Sequence, residues 1–201
     1  MRQVDITIES WPLSNSFNIS RGSKLTAEVI RVDITEDGLT GRGECVPYQR
    51  YGESLSSVSA QIDQISSDIQ SGITSSDLHS LLPAGAARNA VDCALWDLEC
   101  KIASISAWEK AGLKPQPRLL SAFTISLDQP EEMALKASQA KDFPLLKLKL
   151  GADDGLDEDR ILRVRHTCRD KRLIIDANEG WQSKSLEAML DICEKANIEL
   201  V

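Results

Sequence analysis

The sequence lacks several features that would place it in a common functional class. No stretch approaches the ~18 consecutive apolar residues of a membrane span, and the start, MRQVDITIESW, has no apolar signal-peptide core. The formal net charge of −8 disfavours nucleic acids and anionic membranes as partners. We therefore expect neither of these partners, and the sequence leaves self-association into a homo-oligomer open.

Cysteine and histidine motifs are also absent. The five cysteines are scattered without a CxxC pair, and the two histidines are too few to complete a zinc site. We interpret the cysteines as reduced, packed side chains, as expected in a cytoplasmic protein. No GxGxxG follows a predicted strand, which disfavours a dinucleotide-binding fold.

The first half of the sequence predicts an antiparallel sheet followed by helices. Residues 4–11 alternate as in a half-buried strand. The pair Asp37-Gly38 separates two further apolar runs, 27–35 and 39–45, and favours a hairpin turn because Gly accepts a positive φ. In the residues that follow, apolar side chains recur every three or four positions. This spacing predicts a helix over 55–69, a turn over 77–82 and an alanine-rich helix over 84–103.

Strands and helices alternate beyond Pro115 and Pro117, where we place a domain boundary. The predicted strands are 119–127, 145–150, 173–176 and 198–201, and the predicted helices are 130–141, 156–168 and 183–196. Repeated βα units favour a parallel sheet. A complete (β/α)8 barrel takes about 250 residues, so this half holds less than half of one. An open doubly wound sheet is the alternative.

Two lysines in the strand LLKLKLG, residues 145–151, give the first chemical signal. Alternate strand residues share a face, so Lys147 and Lys149 point away from the leucines that suit the helix-facing side. In a barrel both ammonium groups would lie inside, where a desolvated lysine beside another cation is a usable base. A solvent-facing edge strand is the alternative.

The segment RLIIDANEGW, residues 172–181, places polar residues at the end of the next strand. Asp176 and Asn178 share one face at the carboxyl end, where the active sites of parallel barrels lie. A carboxylate suits a hard cation such as Mg²⁺, although Asp176 could equally cap the following helix. One carboxylate is not a metal site by itself.

Five segments in the right order resemble the muconate-lactonizing branch of the enolase superfamily, and within it the dipeptide epimerases acting on L-Ala-D/L-Glu. They are NISRGSK (18–24), GRGECVPYQRYGES (41–54), LLPAGAARNAVDCALWDLECK (81–101), KLKLG (147–151) and DANEGW (176–181). The resemblance implies an α+β capping domain over residues 1–115. It also implies that residues 116–201 form the first part of a (β/α) TIM-type barrel, which is incomplete.

The resemblance further implies a reaction at the carbon next to a substrate carboxylate. Lys149 would transfer the α-proton on one face, and Lys147 would tune it and help neutralise the carboxylate. Asp176 would be the first ligand of Mg²⁺, which stabilises the enediolate formed on proton abstraction. Reprotonation from the opposite face would invert the centre.

Contacts with a small-molecule dipeptide substrate are implied in both domains. Arg21 in the first loop would attract a substrate carboxylate, and Phe17 would line the pocket. Tyr51 in the second loop, and Thr124 and Asn178 in the barrel, would complete the contacts. The alternatives are a surface arginine in a turn and a Phe17 that only packs the loop against the core.

The family pattern needs two more acidic metal ligands and a second lysine, which we expect beyond Val201. We therefore interpret the chain as truncated and expect it to bind Mg²⁺ poorly and to be inactive alone. The alternatives are a non-catalytic fragment and three related activities: o-succinylbenzoate synthase, N-acylamino acid racemase and muconate cycloisomerase.

Overall fold

A computed structural model of the chain describes residues 1–115 and 118–201. The chain divides into two compact units, the first with Met1–Pro12 and Thr26–Pro117, the second with Leu13–Leu25 and Arg118–Val201. The predicted boundary falls partly on residues 116 and 117, which lie outside the described residues. The domain bounds 1–115 and 116–201 stay a prediction from the sequence.

An antiparallel sheet opens the chain, in the order β1-β2-β3. Its strands are β1 (Gln3–Ile19), β2 (Gly22–Glu36) and β3 (Leu39–Cys45). The predicted hairpin at Asp37-Gly38 is confirmed: both residues have positive φ, 49° and 82°, and Glu36 pairs with Leu39. Positive φ at both positions is what a two-residue turn between twisted strands needs.

Helices follow the sheet in the first unit. They are α1 (Leu55–Gln64), α2 (Ser66–Ser71), α3 (Ser75–Leu81), α4 (Ala86–Ala103) and α5 (Ala107–Lys110). The single helix predicted over 55–69 is wrong, because the backbone breaks at Ile65 (φ −104°, ψ 6°). The turn predicted over 77–82 is also wrong. Thr74 and Asp77 form a reciprocal capping box that starts a helix there.

Close packing of α4 on β3 builds the core of the first unit. A Cβ on Gly43 would lie 2.0 Å from the Ala90 carbonyl oxygen, and one on Gly41 would lie 2.2 Å from the Ala94 carbonyl oxygen. Glycines on the strand and alanines on the helix therefore let the two backbones meet. Buried aliphatic side chains of β2, α1 and α4 fill the rest.

A parallel sheet in the order β4-β5-β6-β7 forms the centre of the second unit. Its strands are β4 (Phe123–Ile125), β5 (Leu145–Lys149), β6 (Arg172–Asp176) and β7 (Ile198–Leu200), and its helices are α6 (Pro130–Gln139), α7 (Asp157–Thr167) and α8 (Ser183–Lys195). The predicted alternation is confirmed, but the strand over 119–127 is too long. Only residues 123–125 find partners on β5, and Leu119 is exposed.

Two leucines of β5 and the leucine that follows it confirm the predicted division of this segment into two faces. Leu146, Leu148 and Leu150 are fully buried in a cluster with side chains of α6, α7 and β6. All five cysteines are free thiols, and only Cys93 is exposed. Within residues 1–115 and 118–201, no helix combines the length and apolar character needed to cross a bilayer.

Candidate active site

Lys149 lies at the carboxyl end of β5, in register with Asp176 at the end of β6. Its ammonium donates to Asp176 Oδ2 at 2.9 Å and to Asn178 Oδ1 at 3.0 Å. Lys147 Nζ is 2.8 Å from the same Asp176 oxygen. Lys149 is 7% exposed, and β5 lies between β4 and β6, so the edge-strand alternative is wrong.

The Asp176 carboxyl is held in its charged form. Partial burial opposes ionisation, but hydrogen bonds from Lys147, Lys149 and the backbone N–H of Asn178 outweigh it and hold the pKa of Asp176 well below its usual value. The helix-cap alternative is wrong, because the N-cap of α8 is Gln182. Asp176 is therefore a carboxylate at neutral pH with both oxygens engaged.

Asp176 by itself does not complete a metal site. In the part of the chain that the structure describes, no three His, Cys, Asp or Glu residues are grouped to hold a metal ion. Mg²⁺ requires near-octahedral oxygen ligands. The described residues fit one ligand position and do not fit a complete magnesium site.

Residues of the β1–β2 hairpin tip meet the end of β6 within the second unit. Ser20 Oγ donates to the Asn178 carbonyl oxygen at 3.1 Å, and Arg21 Nη1 donates to the same oxygen at 3.3 Å. Arg21 Nη1 is also 3.5 Å from Glu179 Oε1. Asn178 thus contacts Lys149 through its side chain and the hairpin tip through its carbonyl.

Phe17 is the other hairpin residue near the lysine. The Lys149 ammonium lies 5.7 Å from the centre of the Phe17 ring, within cation–π range. The structure therefore brings Lys149, Asn178, Arg21 and Phe17 into one cluster. Thr124 lies on β4, in register with Lys147, and lines a cavity of about 330 Å³ with Asn15, Ser16 and Phe143.

Tyr51 belongs to the first unit. It ends a short 3-10 turn, Gln49–Tyr51, and 75% of it is exposed. Its ring centre is 6.3 Å from that of Tyr48, and both tyrosines line a cavity with Glu53. The substrate-contact role of Tyr51 stays a prediction.

Sequence reasoning missed a charged pair on α7, the helix that follows the Lys149 strand. Arg160 Nη1 donates to Asp157 Oδ1 at 2.9 Å, and both residues are buried. An Asp and an Arg three residues apart at a helix start are a usable signal. Here five acidic residues in GADDGLDED obscured it. Ser20 was also missed, because nothing in its local sequence points to Asn178.

The sequence matches the N-terminal domain family described as mandelate racemase / muconate lactonizing enzyme over residues 1–112. The chain belongs to this family. The predicted resemblance to dipeptide epimerases of the enolase superfamily is confirmed by the relatives described below. So is the fold class, an α+β capping domain followed by the start of a (β/α) barrel.

Relatives within the superfamily include the L-Ala-D/L-Glu epimerase of Escherichia coli, 38% identical over all 201 residues of this chain and 63% of that protein. A solved enolase family member from Agrobacterium tumefaciens, described as homologous to dipeptide epimerases and containing sodium and L-Ala-L-Glu, is 42% identical with a TM-score of 0.94. That match covers 98% of this chain and 60% of that one.

A dipeptide epimerase from Cytophaga hutchinsonii, solved with Mg and D-Ala-L-Val, is 29% identical with a TM-score of 0.85, covering 98% of this chain and 56% of that one. The chain therefore spans about 60% of the length of these family members.

Proposed function

We propose that the whole protein is an isomerase that epimerises dipeptides such as L-Ala-D/L-Glu by moving the proton α to the carboxylate. One observation carries the proposal. Lys149 is a buried amine at the carboxyl end of a central parallel strand, with its Nζ held between Asp176 and Asn178. These contacts orient the lysine at the strand end, where a positioned amine can transfer a proton to or from a carbon acid.

Each polar residue around Lys149 has a distinct role in the proposed reaction. Lys149, as the neutral amine, takes the α-proton from one face of the substrate, and a second acid/base group of the whole protein delivers a proton to the opposite face, which inverts the centre. Lys147 shares the Asp176 oxygen with Lys149 and adds positive charge close to the substrate carboxylate. Asn178 orients the Lys149 ammonium through its side-chain oxygen.

The negative charge that develops on the substrate carboxylate calls for a cation. Asp176 would contribute one ligand for Mg²⁺ in the whole protein, and its low pKa keeps it ready to do so. The magnesium in the Cytophaga hutchinsonii relative supports this assignment. The chemistry supplied by the ion would be electrostatic stabilisation of the developing charge.

The side chains near the hairpin tip suit substrate recognition. Arg21 is 40% exposed, so its guanidinium can exchange the long contact with Glu179 for a substrate carboxylate. Phe17 offers an apolar surface beside Lys149. Thr124 and Tyr51 are proposed as further contacts, from the barrel and from the second loop of the first unit.

Substitution of Lys149 tests the reaction. In the full-length protein in deuterated water, Lys149→Ala should lower α-proton exchange from one dipeptide epimer by roughly 10³-fold, since a general base contributes about 10²–10⁴-fold. Lys184→Ala, at an exposed lysine of α8, is the matched control and should leave exchange unchanged. Chelation of Mg²⁺ should remove exchange from both epimers.

Other results would replace the proposal. Exchange from both epimers that persists in Lys149→Ala would end the role of Lys149 as a base. Exchange from N-acetylglutamate without exchange from any dipeptide would assign the protein to the N-acylamino acid racemases. Exchange from neither class in the wild type would contradict the proposed function.

Substitution of Arg21 tests the substrate class. Arg21→Ala should raise KM for Ala-Glu by about 10- to 100-fold, as expected for the loss of a charge-assisted hydrogen bond. KM for Ala-Ala, which lacks the side-chain carboxylate, should change little and serves as the internal control. An equal rise for both dipeptides would show that Arg21 does not recognise that carboxylate.

A further inference from the structure

A buried arginine joins two strand-to-helix loops of the second unit. Arg160 is 2% exposed, and its Nη1 and Nη2 donate to both oxygens of Asp154 at 2.7 and 2.6 Å. Nη1 also donates to Asp157 Oδ1, and Nε donates to the carbonyl oxygen of Asp128 at 2.8 Å. The Asp128 carbonyl lies between β4 and α6, whereas Asp154 lies between β5 and α7. Arg160 therefore fixes two loops at the carboxyl end of the sheet.

Asp157 extends the same network to a third loop. Its Oδ2 accepts the backbone N–H of Gly151 at 2.8 Å and the indole N–H of Trp181 at 2.7 Å, while Oδ1 faces Arg160. Gly151 comes two residues after Lys149, and Trp181 follows β6. One buried carboxylate therefore joins the loop after the lysine strand to the loop after the aspartate strand.

The two loops also contact each other directly, backbone against backbone. A Cβ on Gly180 would lie 2.3 Å from the Gly151 carbonyl oxygen, and a Cβ on Gly151 would lie 2.4 Å from the Ala177 carbonyl oxygen. This contact leaves no space for a side chain. A shift of either loop would change the separation of the strand ends that carry Lys149 and Asp176.

We propose that Asp157, held by Arg160, is a positioning residue for Lys149. It contacts no reacting atom. It sets the distance between the ends of β5 and β6, and through that distance the hydrogen bonds of Lys149 to Asp176 and Asn178. A buried ion pair is costly to desolvate, and in this pair the remaining hydrogen-bonding groups are used by the loops, which gives the loops a defined geometry. The catalytic consequence rests on the function proposed above.

Asp157→Asn in the full-length protein tests this role. Asparagine has an N–H₂ group in place of one of the two acceptor oxygens of aspartate. In either orientation of the amide, this N–H₂ group faces a donor, which is Arg160 on one side and the N–H groups of Gly151 and Trp181 on the other. The matched control is Asp159→Asn on the same helix, where the exposed carboxylate pairs with the half-exposed Arg163. The first readout is acylation of Lys149 by an amine-reactive reagent, followed by mass spectrometry.

Labelling of Lys149 should rise severalfold in Asp157→Asn relative to an exposed reference lysine, and it should not change in Asp159→Asn. The second readout is α-proton exchange from each epimer. The exchange rate should fall on the order of 100-fold for the epimer whose α-proton faces Lys149, because misplacement of a catalytic group by about 1 Å lowers a rate by about that factor. The exchange rate of the other epimer should change much less.

The outcomes separate this inference from the proposed function. Unchanged labelling of Lys149, or an equal loss of exchange from both epimers, would overturn the positioning role. Raised labelling in a protein whose wild type exchanges no dipeptide would keep the positioning role and reject the function. If Asp157→Asn does not fold, Trp181→Phe removes a single donor to Asp157 and should give the same one-sided pattern more weakly.

Discussion

The interiors of the two units differ in the kind of side chain they bury. In the first unit, aliphatic residues and alanines fill the core, and Gly41 and Gly43 let β3 meet α4. The second unit also has an aliphatic core. In addition it contains every buried charged side chain found in residues 1–115 and 118–201, namely Lys149, Asp157 and Arg160.

Both units therefore bury apolar side chains that contribute stability, and the second unit in addition buries charged side chains at a place suited to chemistry. The stabilisation from apolar burial is non-directional, so it requires only that the side chains pack closely together. A buried charge loses its hydration and persists only where partners surround it, so it marks a place with a defined geometry. Lys149 lies at the carboxyl end of β5, and Asp157 and Arg160 lie at the start of α7, the helix that follows that strand.

The largest effect on stability is expected at Arg160. Arg160→Met leaves Asp154 and Asp157 without their shared cation, so it should lower the free energy of unfolding by about 3–5 kcal/mol. Urea denaturation measures this change. Arg163→Met on the same helix removes the exposed ion pairs with Asp159 and Glu131 and should change the free energy of unfolding by less than about 0.5 kcal/mol. Equal losses of unfolding free energy in Arg160→Met and Arg163→Met would show that the buried ion pairs contribute no more to stability than the exposed ones.

A smaller but clear loss is expected at Gly43 in the first unit. Gly43→Ala places a methyl group 2.0 Å from the Ala90 carbonyl oxygen, so α4 must move away from β3. Overpacking of this kind costs about 1–3 kcal/mol in the free energy of unfolding. Gly85→Ala is the control, since its Cβ would meet a side-chain oxygen, Glu53 Oε1 at 2.8 Å, instead of backbone. A loss at Gly43 no larger than at Gly85 would show that close backbone packing does not dominate this core.

Much of the fold could be predicted from the sequence because its patterns are local. The Asp37-Gly38 turn, the βα alternation and the two faces of β5 each depend on residues close together in the chain. The errors were local as well. The apolar spacing over 55–69 continues through Ile65, where the backbone breaks, and the turn predicted over 77–82 overlooks the capping box of Thr74 and Asp77.

The sequence alone determined the lysine pair and the Asp176-Asn178 segment, since strand alternation decides which face a side chain takes. Only the tertiary structure decided their partners. The Ser20 hydroxyl meets a carbonyl 158 residues away, and Asp157 reaches Gly151 and Trp181 through loops whose paths no periodicity encodes. Hydrogen bonds of this kind depend on the register of parallel strands and on backbone contact between glycines. Both arise only when distant segments have packed together.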